Sequence, residues 1–113
     1  MTIDQFSTAL ASAFGADCTA IVLYGSAASA SAQEKGTDYN VLVILRALRG
    51  DALRAAAAPV RQWADAGHRA PLILTEAEWR SSRDVFAMEH ADIAARHRVL
   101  HGALPALPLV ATE

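Results

Sequence analysis

Two short apolar runs constrain this chain more than anything else in it. Thr19–Tyr24 is continuous and rich in β-branched residues, and it runs into Gly25-Ser26. Val41–Leu45 is entered through Asp38-Tyr39-Asn40 and is the strongest strand in the sequence. Short, uninterrupted apolar runs of this kind read as strands covered on both faces. Two such strands need helical layers packed against them, so the remaining segments must supply amphipathic helices.

They do so at several places. Ile3, Phe6, Leu10 and Phe14 recur at helical spacing, with Asp4 in the first turn and Gly15 as a stop. Ala27–Ala32 can form a short helix, and Gln33–Thr37, with Gly36, reads as a loop. Asp51 is placed to cap a helix carrying Leu53 and Ala57 on one face. Pro59 predicts a kink or a fresh first turn, after which Val60, Trp63 and Ala64 continue the stripe to Gly67. Pro71-Leu72-Ile73-Leu74 reads as a third strand, and Thr75-Glu76-Ala77-Glu78 has capping-box spacing for a helical segment through Arg83. Asp84 to Glu89 fits neither period. Ile93, Ala94, His97 and Leu100 predict a final helix of roughly ten residues, and Leu104–Val110, with two prolines, is at most an edge strand. The expected fold is α/β (α+β), a small mixed β-sheet with helices packed on it, with residues 1–113 as one domain.

Composition excludes several classes of function. Apolar residues make up 53% and charged residues 19%, which suits a globular chain. A net charge of −2 without a basic stripe gives no electrostatic reason to expect bulk nucleic-acid binding. Cys18 is the only cysteine, so neither an intrachain disulfide nor a thiolate zinc site can form, and no cation flanks it to activate the thiol. No apolar run approaches the roughly 18 residues of a membrane span, and no basic segment with an apolar core opens the chain. The expectation is a cytoplasmic protein with no membrane association.

Some residues invite chemical readings that weigh less than their structural ones. His97 and His101 would sit at i, i+4 on the expected last helix, with His90, Glu89 or Asp92 nearby for zinc. No His-Glu-x-x-His element is present, however, and Leu100 between them calls for burial, so solvated or hydrogen-bonded histidines are the better reading. Asp84 and Glu89 read as a cap and a structural hydrogen bond rather than an acid/base pair. Trp63 and Trp79 read as packing residues, and Tyr39 points away from Asp38 and Asn40. Lys35 has no Walker spacing around it.

The strand ends carry the strongest chemical signal. Gly25 admits close backbone approach, and Ser26 at a helix start adds a hydroxyl to exposed N–H groups, which makes an anion cradle suited to phosphates. Asp38 and Asn40, two apart on a strand, point to one face. If the two strands are neighbours, these oxygen ligands face the cradle, where Mg²⁺ would bridge protein and triphosphate while an acceptor hydroxyl attacks in line.

With these residues the chain resembles the nucleotidyltransferase superfamily, the group of the polymerase-β catalytic domain and the minimal and aminoglycoside nucleotidyltransferases. The family pattern is hydrophobic-Gly-Ser/Gly, a loop of roughly ten residues, then Asp-x-Asp/Glu in a hydrophobic strand, with a third carboxylate on a later strand. Gly25, Ser26 and Asp38 match, and the resemblance is strongest over residues 20–45. Asp84-Val85-Phe86-Ala87-Met88-Glu89 and Arg98-Val99-Leu100-His101-Gly102 look like the continuation seen in uncharacterised members. The resemblance implies transfer of a nucleoside monophosphate from a nucleoside triphosphate, with pyrophosphate leaving. Gly25 and Ser26 would hold the β- and γ-phosphates, and Asp38 would coordinate Mg²⁺.

The chain departs from that pattern at two positions. Asn40 offers a neutral carbonyl oxygen where the family has an anion, and Leu72-Ile73-Leu74-Thr75 carries no carboxylate, with Glu76 just past it and Asp84 further on. The expected outcome is nucleotide binding with weak or lost transfer. The alternatives are a non-catalytic regulatory or antitoxin-like interaction module, and a purely structural interaction domain. Larger relatives place a helical acceptor-binding domain after the catalytic one. Here the acceptor site would come from a second protein chain or another protomer, or the chain is a fragment of a longer protein.

Overall fold

The computed structural model describes residues 2–24, 40–81 and 97–103. The expected Ala27–Ala32 helix, Gln33–Thr37 loop, Asp84–Glu89 stretch and Leu104–Val110 edge strand lie outside the described residues. Helix α1 (Ile3–Phe14) starts on a reciprocal cap: Thr2 Oγ1 accepts from the Gln5 amide at 3.1 Å, and Gln5 Oε1 accepts from the Thr2 amide at 2.8 Å. Gly15 ends it at φ 60°. Then follow β1 (Cys18–Tyr24), β2 (Asn40–Leu45), α2 (Gly50–Asp65), β3 (Leu72–Thr75), α3 (Glu76–Ser81) and β4 (His97–Gly102). The sheet order is β3-β2-β1-β4, with β1 antiparallel to both neighbours and β2 parallel to β3. This is the mixed sheet with packed helices that the pattern predicts.

Strand alternation divides the core into two layers. Ile21, Leu23, Val41, Val43 and Leu45 pack with Phe6, Leu10 and Phe14 of α1 and Ala56 and Trp63 of α2. Phe6 and Trp63 stack with centroids 4.4 Å apart and planes 5° from parallel. On the other face, Ala20, Val22, Leu42 and Ile44 meet Trp79 of α3. Both tryptophans are thus core residues, as their spacing suggests. The predicted capping box of α3 is present: Glu78 Oε1 accepts from the Thr75 amide and Thr75 Oγ1 from the Glu78 amide.

Four local expectations need correction. Helix α2 runs through Pro59 as one element, because burial of Ala56 and Trp63 on either side of it outweighs the roughly 3 kcal/mol that an interior proline costs. Its cap position is Arg49, with Asp51 in the first turn. Val60 and Trp63 face the core as expected, but in the first half of the helix the buried stripe runs through Ala52 and Ala56, one residue off the expected Leu53 and Ala57, and leaves Leu53 43% exposed. Lastly, residues 97–102 form β4 rather than the end of a helix. Ala20–Leu23 are completely buried, so the β1 backbone groups facing away from β2 need a partner, and β4 provides it. Leu100 is the extra residue of a bulge in that pairing and packs on the α1 side.

Candidate functional site

Asn40 opens β2 and lies directly opposite Tyr24, the last residue of β1. Gly25 follows Tyr24 in the chain, so the two halves of the motif start from one end of the sheet. Tyr24 packs against the cluster that contains Trp79. As its direct cross-strand partner, Asn40 faces the same side, two and four residues ahead of Leu42 and Ile44. Asn40 is half-buried. Gly25, Ser26 and Asp38 lie outside the described residues, as do Tyr39 and Lys35.

Neither carboxylate that follows β3 serves this end. The β2–β3 pairing begins at Leu42 with Leu72, so β3 offers no residue directly opposite Asn40. Glu76 is at the opposite end, beyond Thr75, where its carboxylate accepts from Thr19 Oγ1 at 2.5 Å. Glu78 is engaged in the α3 cap. Among the described residues no group of three His, Cys, Asp or Glu side chains could hold a metal ion. The described part of this corner therefore fits a divalent cation poorly, because Asn40 contributes one neutral oxygen where a hard ion prefers carboxylates.

The histidine pair is resolved by the strand. His97 is paired with Tyr24 and His101 with Ile21, so the bulge sends them to opposite faces of the sheet. They cannot chelate one zinc ion. His90, Glu89, Asp92 and Asp84 lie outside the described residues. The sequence reading missed that His97 comes up beside Tyr24, because helical periodicity had claimed it; the β-prone Arg98-Val99-Leu100 run was the available signal. Cys18 is half-buried and burial pushes its thiol up to about 11, so it is no nucleophile at neutral pH. The surface grooves described on α1 and between α1 and α2 are lined mainly by small residues, among them Ala9, Ser12, Ala55 and Ala58. None of the expected site residues lines them.

No protein-family model matches the chain, and no curated protein matches it significantly. Solved structures do. The toxin–antitoxin MntA-HpeT, in a mutant with two aspartates two positions apart changed to glutamate, has a TM-score of 0.55 at 14% identity, over 90% of this chain and 75% of that one. A toxin–antitoxin structure with AMP-PNP has a TM-score of 0.54, also at 14% identity over 90% and 75%. The fold is nucleotidyltransferase-like. A tri-AMPylated Shewanella oneidensis HEPN toxin in complex with MNT antitoxin has a TM-score of 0.49 at 14% identity, over 88% of this chain and 70% of that one. Within the nucleotidyltransferase-like fold described here, no helix among the described residues is long and apolar enough to cross a membrane.

Proposed function

We propose that this chain is a nucleotide-binding, nucleotidyltransferase-like domain whose transfer activity is weak or lost. The observation that carries the reading is the Tyr24–Asn40 pair, which brings the end of the Gly25-Ser26 strand and the start of the Asp38-x-Asn40 strand to one edge of the sheet. Gly25 and Ser26 would bind the phosphates of a nucleoside triphosphate, and Asp38 with Asn40 would face them. Any Mg²⁺ held there would rest on one carboxylate, Asp38, because Asn40 is neutral and Leu72-Ile73-Leu74-Thr75 of β3 carries no carboxylate. Such a site supports binding better than transfer to an acceptor hydroxyl with pyrophosphate release.

Calorimetric titration of ATP with and without Mg²⁺ tests this reading on the wild type and on Asn40→Asp. The expected result is wild-type binding with little metal dependence. In Asn40→Asp, binding should tighten about tenfold when Mg²⁺ is added. Absence of binding by both proteins refutes the reading.

The second reading is a regulatory or antitoxin-like module that works through a second protein chain in the cytoplasm. It is favoured by one observation, that the similar folds come from toxin–antitoxin structures. Its mark would be a stable complex with a second chain that survives Asp38→Ala, with no pyrophosphate released on a broad acceptor panel.

A further inference from the structure

The strand registers place three side chains in a line across β4, β1 and β2: His97 is paired with Tyr24, and Tyr24 with Asn40. All three sit on the sheet face that carries the Trp79 cluster, at the end where the chain leaves β1 for Gly25. We propose that this row is a nucleobase platform, with Asn40 at the phosphate end and the rings of Tyr24 and His97 carrying the base of a nucleotide. The inference rests on the nucleotide-binding reading above and extends it to how the base is held.

The geometry and the chemistry of the row agree. Adjacent strands lie about 4.8 Å apart, so Asn40 and His97 are separated by roughly 10 Å. That is the order of the span from the phosphates of an extended nucleotide to its base. Polarity changes along the row in the same sense. Asn40 presents an amide with donors and an acceptor suited to phosphate or ribose oxygens. Tyr24 packs against the apolar cluster that contains Trp79, and so offers a ring backed by a hydrophobic layer. His97 is an exposed planar ring. Planar rings on a sheet surface take up bases by stacking, with little preference among them because every base has a π-face. Arg98, paired with Leu23, belongs to the opposite face, so the row carries no arginine that would favour phosphate at the β4 end. Plain strand alternation puts Arg98 there, since His97, Arg98 and Val99 pair in regular register with Tyr24, Leu23 and Val22.

Titration of ATP and of inorganic tripolyphosphate against the wild type, His97→Ala, His97→Phe and Tyr24→Leu separates this inference from the one beneath it. His97→Ala and Tyr24→Leu should weaken ATP binding roughly tenfold, while tripolyphosphate binding stays unchanged. His97→Phe, which keeps a ring and loses the N–H groups, should retain ATP affinity. Tyr24→Leu keeps an apolar side chain against the Trp79 cluster, and melting curves of all variants check that they fold. Unchanged ATP affinity in His97→Ala and Tyr24→Leu overturns the platform while leaving phosphate binding intact. So does an equal loss of tripolyphosphate, or failure of His97→Phe to restore ATP. A wild type that binds neither ligand overturns the nucleotide reading and the platform together.

Discussion

Gly102 is the position where one methyl group should do the most damage. It ends β4 at φ 70°, and a Cβ built there would lie 2.0 Å from the Thr19 carbonyl oxygen and 2.9 Å from its carbon. Both are backbone atoms of a completely different strand, so no side-chain rotation relieves the contact. Gly102→Ala must push β4 away from β1 by roughly 1 Å to restore van der Waals distance. That retreat strains the Ala103 N–H bond to the Thr19 oxygen, already 3.3 Å, and the adjacent pairing of Ala20 with Gly102. Loss of two such bonds costs about 2 kcal/mol, and the left-handed backbone adds about 1.5 kcal/mol. Reduced freedom of the unfolded chain returns about 0.5 kcal/mol, leaving a net loss of about 3 kcal/mol. Gly15 and Gly67 provide controls, because their φ values are 60° and 95° and nothing lies within 4 Å of a Cβ at either. Alanine at those positions should cost only the backbone part, about 1 kcal/mol. Urea unfolding followed by the fluorescence of buried Trp63 and Trp79 reads all three. With a slope of about 1.5 kcal/mol per molar, Gly102→Ala should lower the midpoint by about 2 M and the controls by well under 1 M. Equal midpoints for Gly102→Ala and the controls would refute the steric argument and with it the β1–β4 register.

Further outcomes follow from the same end of the sheet. Thr19→Val and Glu76→Gln in a double-mutant cycle should show a coupling of about 1–2 kcal/mol in urea unfolding, since the hydroxyl donates to a partly buried carboxylate; additive effects would mean that the bond does not form. The Cys18 thiol is raised from 9.0 to about 11 by burial. The unfolded chain therefore loses this proton first, so stability from this group is intact below pH 9 and falls as pH rises towards 11. Thermal melts across that range should show the slope in the wild type and not in Cys18→Ala.

The parts of the fold visible in the sequence are those where local pattern and tertiary demand agree. Phe6, Leu10 and Phe14 mark a helical face that is buried, and the runs ending in Tyr24 and Leu45 are central strands. Leu53 misled because a single apolar residue beside a run of alanines says little about rotation, and the much larger Trp63 decides it. His97 and Leu100 misled for a different reason: helical spacing is a local signal, whereas the unpaired edge of a buried strand is a non-local demand that no window along the chain contains. For the candidate site, Gly25, Ser26 and Asp38 are motif readings on residues outside those described, and Asn40 is a departure from the motif. The row through Tyr24 to His97 was invisible, because only strand register brings residues 24, 40 and 97 together.

On the proposed reading, the two ends of this sheet divide the work between holding and recognising. At the Cys18 end, the Arg46 amide donates to the Asp17 carbonyl, Arg49 Nε reaches Asp17 at 2.8 Å, Thr19 is tied to Glu76, and Gly102 presses on the Thr19 backbone. The exposed Arg49–Asp17 pair contributes little alone, but the backbone contacts beside it close the sheet on both flanks of β1. Six residues further along β1, roughly 20 Å away, the half-buried Tyr24 and Asn40 and the exposed His97 are polar or amphipathic side chains on the face that is otherwise apolar. Polar groups at such positions weaken a core and are retained where they meet a ligand. A sheet locked at one end can tolerate that cost at the other, since changes at His97 lie far from the contacts that fix the strand order. This separation predicts that His97→Ala alters ligand affinity with little effect on the urea midpoint, whereas Gly102→Ala does the reverse until the sheet itself opens.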